Sequence, residues 1–135
     1  MNFFLGRVQA EDDRIRFVTD SNTITLPAGM NDALRAYNRQ DMVLGVRPEN
    51  LSLTTFQGQS ENSISAAVNV IEPLGDRMEV YLSTSEGHKF IASVDPHVDI
   101  GVDQAVKMYI DLKKSHVFEP GETGRNVTLP KDSLN

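Results

Sequence analysis

Arg47 and Glu49 flank Pro48, and their types and spacing suit a specific contact. The apolar residues before them predict a short buried strand. Pro48 ends that strand because it has no N–H to donate, and it holds Arg47 extended. The pair either fixes this region against another domain or a partner protein, or is a local salt bridge or solvated pair at the strand end, worth about 0–1 kcal/mol if exposed. We expect Arg47 to tie two lobes together, so that Arg47→Ala lowers the melting temperature; an unchanged melt would remove this role.

Asp95, His97 and Asp99 alternate, so an extended strand would place two carboxylates and an imidazole on one face. Such a set can bind a divalent metal. Pro96 and Gly101 favour a polar turn instead, and the other two histidines are distant in sequence. We therefore predict no metal site, and we expect neither zinc nor a chelator to change the melt.

Glu72 and Asp76 bracket a Pro-Leu-Gly segment. Paired carboxylates serve acid–base catalysis when their environments separate their pKa values. Here Pro73 and Gly75 indicate an exposed corner between strands, and the chain contains no Gly-x-Ser-x-Gly motif. We predict no catalytic residue.

The composition excludes several classes of protein. The chain has 135 residues, a formal net charge of −6 and no cysteine, which excludes disulfides and thiolate metal sites. Without a basic face and exposed aromatic residues, nucleic acid is not an expected partner. No apolar run reaches the roughly 20 residues that a membrane helix needs, and we expect no signal peptide. A cytoplasmic location fits.

Short alternating segments separated by turn residues predict an all-β protein with one short helix near residues 31–37. Ile64, Ala66, Val68 and Val70 are predicted to share one face of a strand. The polar segment 57–63 predicts a linker between two lobes, at about 1–56 and 64–128, that share strands. Residues 129–135 are predicted to be a frayed tail.

Four segments resemble one family. Gly45-Val-Arg-Pro-Glu-Asn-Leu51 is similar to the G-[IV]-R-P-E-x-[LI] signature of the transport-associated OB (TOBE) domain, which follows the ATPase domain in sugar-importer ABC ATPases. Val68–Asp76 resembles its V-x-x-[VI]-E-x-L-G segment, His116–Arg125 its closing H-[LV]-F-[DE]-x-x-T-G-[RK] segment, and Met1–Phe3 the M-N-F at the domain junction. The residues that match and that the resemblance marks as structural or regulatory contacts are Gly45, Arg47, Pro48, Glu49, Glu72, Leu74, Gly75, His116, Phe118, Gly124 and Arg125. The extra Gly121-Glu122 leaves the shape of the 119–125 loop open.

The resemblance implies an OB-fold-like β-barrel built from two TOBE-type lobes, acting as the non-catalytic regulatory and dimerisation domain of an importer ATP-binding subunit. The implied partners are a second copy, its own ATPase domain, the permease subunits indirectly and a regulatory protein, at the inner face of the cell membrane. The chain lacks G-x-x-x-x-G-K-[ST] and Leu-Ser-Gly-Gly-Gln, so we expect no ATP hydrolysis and no cofactor here; ATP and Mg would belong to the ATPase domain. The alternative is a domain that senses a sugar phosphate or an oxyanion.

Overall fold

The computed structural model describes residues 1–20, 22–55, 62–121 and 124–128. This part of the chain is mainly strand, with one short helix, α1 (Asn31–Leu34), so the predicted all-β class is confirmed. Short 3₁₀ turns occur at Ala28–Met30, Arg35–Tyr37, Pro48–Asn50 and Leu112–Lys114. The strands are β1 (Asn2–Glu11), β2 (Arg14–Val18), β3 (Thr23–Thr25), β4 (Asp41–Val46), β5 (Leu51–Ser52), β6 (Ser63–Pro73), β7 (Met78–Ser83), β8 (Lys89–Val94), β9 (Ala105–Ile110) and β10 (His116–Phe118).

The chain forms two compact units. The midchain unit contains Met1–Asn2 and Val46–Asp111, and the flanking unit contains Phe3–Gly45 and the described residues from Leu112 onward. This division differs from the predicted one near 57–63, because strand pairing rather than the polar segment defines the units. Residues 56–61 of that segment lie outside the described residues, and its last two residues belong to the midchain unit.

The flanking unit contains a five-stranded sheet in the order β10-β4-β1-β2-β3. Alternating side chains of β1, β2 and β4, among them Phe4, Val8, Phe17 and Leu44, are buried. Leu34 of α1 is fully buried as well, and α1 packs against β2.

The midchain unit contains a second sheet in the order β5-β9-β6-β7-β8. If β6 is counted first and β5 last, this is the order of the flanking sheet. Both sheets therefore have the five-stranded arrangement of an OB fold, with the fifth strand of the midchain unit moved to the front of the sequence. The OB-fold-like prediction is confirmed.

The prediction for β6 is wrong at Val70, whose side chain is 52% exposed. Ile64, Ala66 and Val68 are buried as predicted, but the pairing of β6 with β7 shifts between Val68 and Val70. This β-bulge adds one residue, so every side chain after it changes face. Ile71, rather than Val70, then pairs with the buried Val80.

Candidate functional site

An apolar surface covers the outer face of three neighbouring strands of the flanking unit, β1, β4 and β10. Because strand side chains alternate, the residues between the buried Asn2, Phe4 and Val8 project outward. Phe3 is 51% and Leu5 is 65% exposed. We define the outer patch by the residues that share this face: Phe3, Leu5, Val43, His116 and Phe118.

Pairing between β4 and β10 brings two family-motif segments together. His116 lies opposite Gly45, and Phe118 lies opposite Val43. Since Gly45 presents no side chain, β4 contributes only Val43 to this part of the face. The separate G-V-R-P-E and H-V-F segments of the sequence thus form one surface.

Aromatic rings order the outer patch. The Phe3 and Phe118 ring centroids are 5.9 Å apart with the rings edge to face, although β4 lies between their strands. The His116 ring contacts Phe118 in the same manner, with centroids 6.5 Å apart. Nδ1 of His116 is buried without a hydrogen-bond partner among the described residues. An edge-to-face pair of phenylalanine rings is typically worth about 0.5–1.5 kcal/mol beyond its buried area.

One ion pair borders the outer patch. Nε of Arg7 lies 3.3 Å from Oδ1 of Asp41, and both side chains are more than half exposed. Arg7 follows Leu5 by two residues and Asp41 precedes Val43 by two, so both project from the same face. Solvent screening makes this pair worth little for folding.

Arg125 joins the loop after β10 to the rest of the flanking unit. Its Nε donates a hydrogen bond to Oε1 of Glu119 at 3.0 Å, and its Nη2 donates one to the Tyr37 hydroxyl at 2.9 Å. The Glu119 amide also donates to the Arg125 carbonyl. The hydrogen bonds to Glu119 and Tyr37 raise the pKa of Arg125, because both stabilise the charged guanidinium.

Gly124 is required by close packing in the same loop. A Cβ atom there would collide with the carbonyl oxygen of Glu119. Gly121 has a φ of +110°, and its carbonyl accepts a hydrogen bond from the Gly124 amide. The sequence left the shape of the 119–125 loop open. Residues 122 and 123 lie outside the described residues, so the structure describes this loop only at residues 119–121 and 124–125.

Arg47, Pro48 and Glu49 lie in the midchain unit. Pro48 begins a 3₁₀ turn that packs against β8, and the Asn50 amide donates to the Arg47 carbonyl at 2.9 Å. Arg47 and Glu49 are exposed, and neither takes part in an ion pair within the described ranges. The role of Arg47 in tying the lobes together stays a prediction.

Asn2 substitutes for a strand at the edge of the midchain sheet. Its Nδ2 donates to the Ile91 carbonyl at 2.7 Å, and its Oδ1 accepts the Ile91 amide at 2.9 Å. Ile91 belongs to β8, which ends the sheet order, so the side chain supplies the donor and acceptor that a neighbouring strand would supply. Asn2 is only 9% exposed.

Glu72, Leu74 and Gly75 form the predicted corner between β6 and β7. Gly75 has a φ of +91°, and the Leu74 amide donates to the Arg77 carbonyl at 2.9 Å. Glu72 is exposed and pairs across the strands with Glu79, whose carboxylate Arg77 contacts at 3.2 Å. Glu72 and Asp76, the two carboxylates that bracket this corner, are both exposed, so neither has the buried environment that prepares a carboxyl group for acid–base catalysis.

The Asp95–Asp99 segment forms the polar turn that we predicted. The His97 amide donates to Oδ1 of Asp95 at 2.7 Å, which closes the turn with a side chain. Among the described residues, no group of three or more histidine, aspartate or glutamate side chains could hold a metal ion. In the same residues, no helix has both the length and the apolar character to cross a membrane.

The structure thus divides the eleven motif residues between the two units. His116 and Phe118 belong to the outer patch, Gly45 lies opposite His116 in β4, and Gly124 and Arg125 lie in the adjoining loop; the other six lie in the midchain unit. Sequence reasoning missed Leu5 and the role of Asn2, and it matched Phe3 only as part of the M-N-F segment. The alternation of Asn2–Leu5 and the M-N-F match were the signals that could have identified them.

Comparisons with known proteins agree with this architecture. Residues 44–118 match the model of the TOBE domain, and residues 1–51 match that of the MalK OB fold domain; neither model is the ATPase domain. A solved structure, the cytoplasmic molybdate-binding protein ModG, has a TM-score of 0.66 at 12% identity and covers 88% of this chain and 96% of that one. At this identity the likeness concerns the fold alone.

Curated relatives are ATP-binding proteins of importers. The oligosaccharides import ATP-binding protein MsmX of Bacillus subtilis is 32% identical over 123 residues, which cover 88% of this chain and 32% of that protein. The sn-glycerol-3-phosphate import ATP-binding protein UgpC of Escherichia coli O1:K1 is 28% identical over 127 residues, or 94% of this chain and 33% of that protein. The chain thus spans about a third of the length of these relatives. These matches confirm the resemblance of the sequence motifs, and the chain belongs to the TOBE domain family.

Proposed function

We propose that this chain is a non-catalytic regulatory and dimerisation domain of the ATP-binding subunit of an ABC importer for sugars or related solutes. The observation that carries the proposal is the match of residues 44–118 to the TOBE domain, together with relatives named as importer ATP-binding proteins. A hydrogen-bonded β sheet suits this task because it keeps its shape while attached parts move.

The proposed partners are a second copy of the chain, an ATPase domain, permease subunits reached through that domain, and a regulatory protein. The complex would lie at the inner face of the cell membrane. The chain would need no cofactor of its own, because ATP and Mg bind to the phosphate loop of an ATPase domain, a motif that this sequence lacks.

Sedimentation equilibrium over a wide range of protein concentrations tests the dimerisation. We expect a reversible monomer–dimer equilibrium, and a monomer at every concentration would contradict it. An ATP-hydrolysis assay with Mg on the same preparation tests the non-catalytic role. Turnover that co-purifies with the chain through several columns would refute that role.

A second candidate is sensing of an oxyanion or a sugar phosphate. The fold likeness to a molybdate-binding protein favours it, although that likeness does not extend to ligand residues at 12% identity. A ligand that binds only the folded state raises the melting temperature as its concentration exceeds the dissociation constant. Thermal melts with molybdate, phosphate and glycerol 3-phosphate test this candidate, and unchanged melts would reject it.

A further inference from the structure

We propose that the two compact units of this chain unfold together, because the two halves of the sequence exchange their last strands. The first half contains β1 to β5, and the second half contains β6 to β10. β5 lies in the sheet that the second half builds, and β10 lies in the sheet that the first half builds. Neither five-stranded sheet is therefore complete without a strand from the other half.

The two halves repeat one order of elements. β4 and β9 are each six residues long, and a single residue separates each of them from a 3₁₀ turn of three residues. The turn is Pro48–Asn50 in the first half and Leu112–Lys114 in the second. The last strand of each half, β5 or β10, begins at most two residues after its turn. The same short connection thus carries the chain into the opposite sheet twice.

Backbone hydrogen bonds repeat in the same way. The Arg39 amide donates to the Val8 carbonyl at 2.7 Å, and the Asp103 amide donates to the Val68 carbonyl at 2.8 Å. In both halves, the carbonyl of the residue after that donor accepts the amide of the same valine. Arg39 and Asp103 have φ of 68° and 70°, a region that few residues other than glycine adopt. This agreement indicates two versions of one five-stranded unit.

The exchanged strands fill the core of the sheet that receives them. β5 pairs with β9, where Leu51 lies opposite Ile110, and β10 pairs with β4, where Val117 lies opposite Leu44. All four side chains are at most 2% exposed. Because burial of apolar side chains is the main stabilising term in folding, each half of the sequence stabilises both units.

The chain passes between the two units without an exposed linker. It does so at residues 2–3, 45–46 and 111–112. Residues on both sides of these crossings are buried: Asn2 and Phe4, Leu44 and Val46, Ile110 and Leu112. Independent domains are joined instead by exposed, polar and flexible segments that few contacts cross. Unfolding of one unit therefore pulls on buried residues of the other.

Local unfolding is the property that this exchange changes. Compact units of a protein often open separately, each with its own free energy. Here, opening of the flanking unit releases β10 and with it the end of β9, whereas opening of the midchain unit releases β5 and with it the end of β4. Loss of stability in one unit should thus appear in full in the other.

Native-state hydrogen exchange of the Val8 and Val68 amides measures the two units through equivalent hydrogen bonds. Val117→Ala removes buried volume from β10, and Leu51→Ala removes it from β5. Each variant should raise the exchange rates of both amides by the same factor, at least about tenfold. Val70→Ala is the control, since Val70 is 52% exposed, and it should leave both rates unchanged. A variant that accelerates only the amide of its own unit would overturn the coupling.

A cut chain provides a second test that changes no core residue. A protease site replaces residues 57–61 of the full chain, and the folded protein is then cut between β5 and β6. Because each fragment supplies a strand to the other's sheet, both should elute together in gel filtration, at the position of the uncut chain, and separate in urea. Fragments that elute apart without urea would overturn the exchange of strands as the basis of the coupling.

Discussion

Replacing Asn2 with Ala should destabilise the midchain unit, because it removes two hydrogen bonds from the edge of its sheet. The bonds join Nδ2 to the Ile91 carbonyl and Oδ1 to the Ile91 amide, at 2.7 and 2.9 Å. Each contributes about 1 kcal/mol, and polar groups left unpaired in a partly buried place cost more. We expect a total loss of about 2–3 kcal/mol, which for a chain of this size lowers the melting temperature by roughly 10 °C.

Urea unfolding, together with hydrogen exchange of the Ile91 amide, measures this effect. The amide should exchange much faster in Asn2→Ala. Asn2→Asp should also destabilise the unit, because it keeps the acceptor for the Ile91 amide but turns a second carboxylate oxygen toward the Ile91 carbonyl oxygen. Asn69→Ala is the control, since Asn69 is exposed and its Oδ1 accepts a long hydrogen bond, of 3.3 Å, from the Ser83 hydroxyl. If Asn2→Ala unfolds within about 0.5 kcal/mol of this control, Asn2 does not complete the sheet.

Three further predictions concern packing, faces and charge. Gly124→Ala should cost on the order of 1–3 kcal/mol, because its Cβ collides with the Glu119 carbonyl oxygen; an unchanged thermal melt would contradict this. Val68→Ala should cost about 2 kcal/mol in urea unfolding, whereas Val70→Ala should cost almost nothing, since the bulge exposes Val70; equal losses would refute the bulge. The raised pKa of Arg125 means that its charged side chain contributes to the stability of the folded state. This contribution is complete below the unfolded-state pKa and is lost only as pH rises through the folded-state pKa. The difference in melting temperature between wild type and Arg125→Gln should therefore stay constant from about pH 5 to pH 10, and a change near neutral pH would refute it.

Alternation of apolar and polar residues predicts the buried face well where a strand is regular and only one of its faces is buried. The buried residues of β7 are Met78, Val80 and Leu82, and those of β8 are Phe90, Ala92 and Val94, as their period of two requires. Turn residues were equally informative. Gly75 and Gly87 both have positive φ at the corners where the chain reverses.

Alternation fails at β6, where the bulge coincides with hydrogen bonds between Val68 and residues distant in sequence. The pairing of β6 with β9 ends at Ala67 and Ala105. The next residue of β6, Val68, forms its hydrogen bonds with the loop that precedes β9. The Val68 amide donates to the Gln104 carbonyl, and the Asp103 amide donates to the Val68 carbonyl. A pattern within one strand carries no information about such a partner, so the face of Val70 could not be read from it.

The same reasoning explains what the motifs revealed of the site. They identified Gly45, His116 and Phe118, but they did not single out Leu5 or show that Phe3 is exposed. Alternation shows that two sets of side chains face opposite ways without showing which set is buried. That choice depends on the neighbours of β1 in the sheet. Those neighbours, β2 and β4, are separated by the whole of β3 and α1 in sequence.

The outer patch depends on β10, a strand near the end of the sequence. Phe3 and Leu5 belong to β1, whereas Phe118 belongs to β10, which pairs with β4 only after the chain has passed through the entire midchain unit. Without β10, one edge of β4 would be unpaired and the Phe3 ring would lose its contact with Phe118. The ordered apolar surface therefore exists only when the flanking sheet is complete.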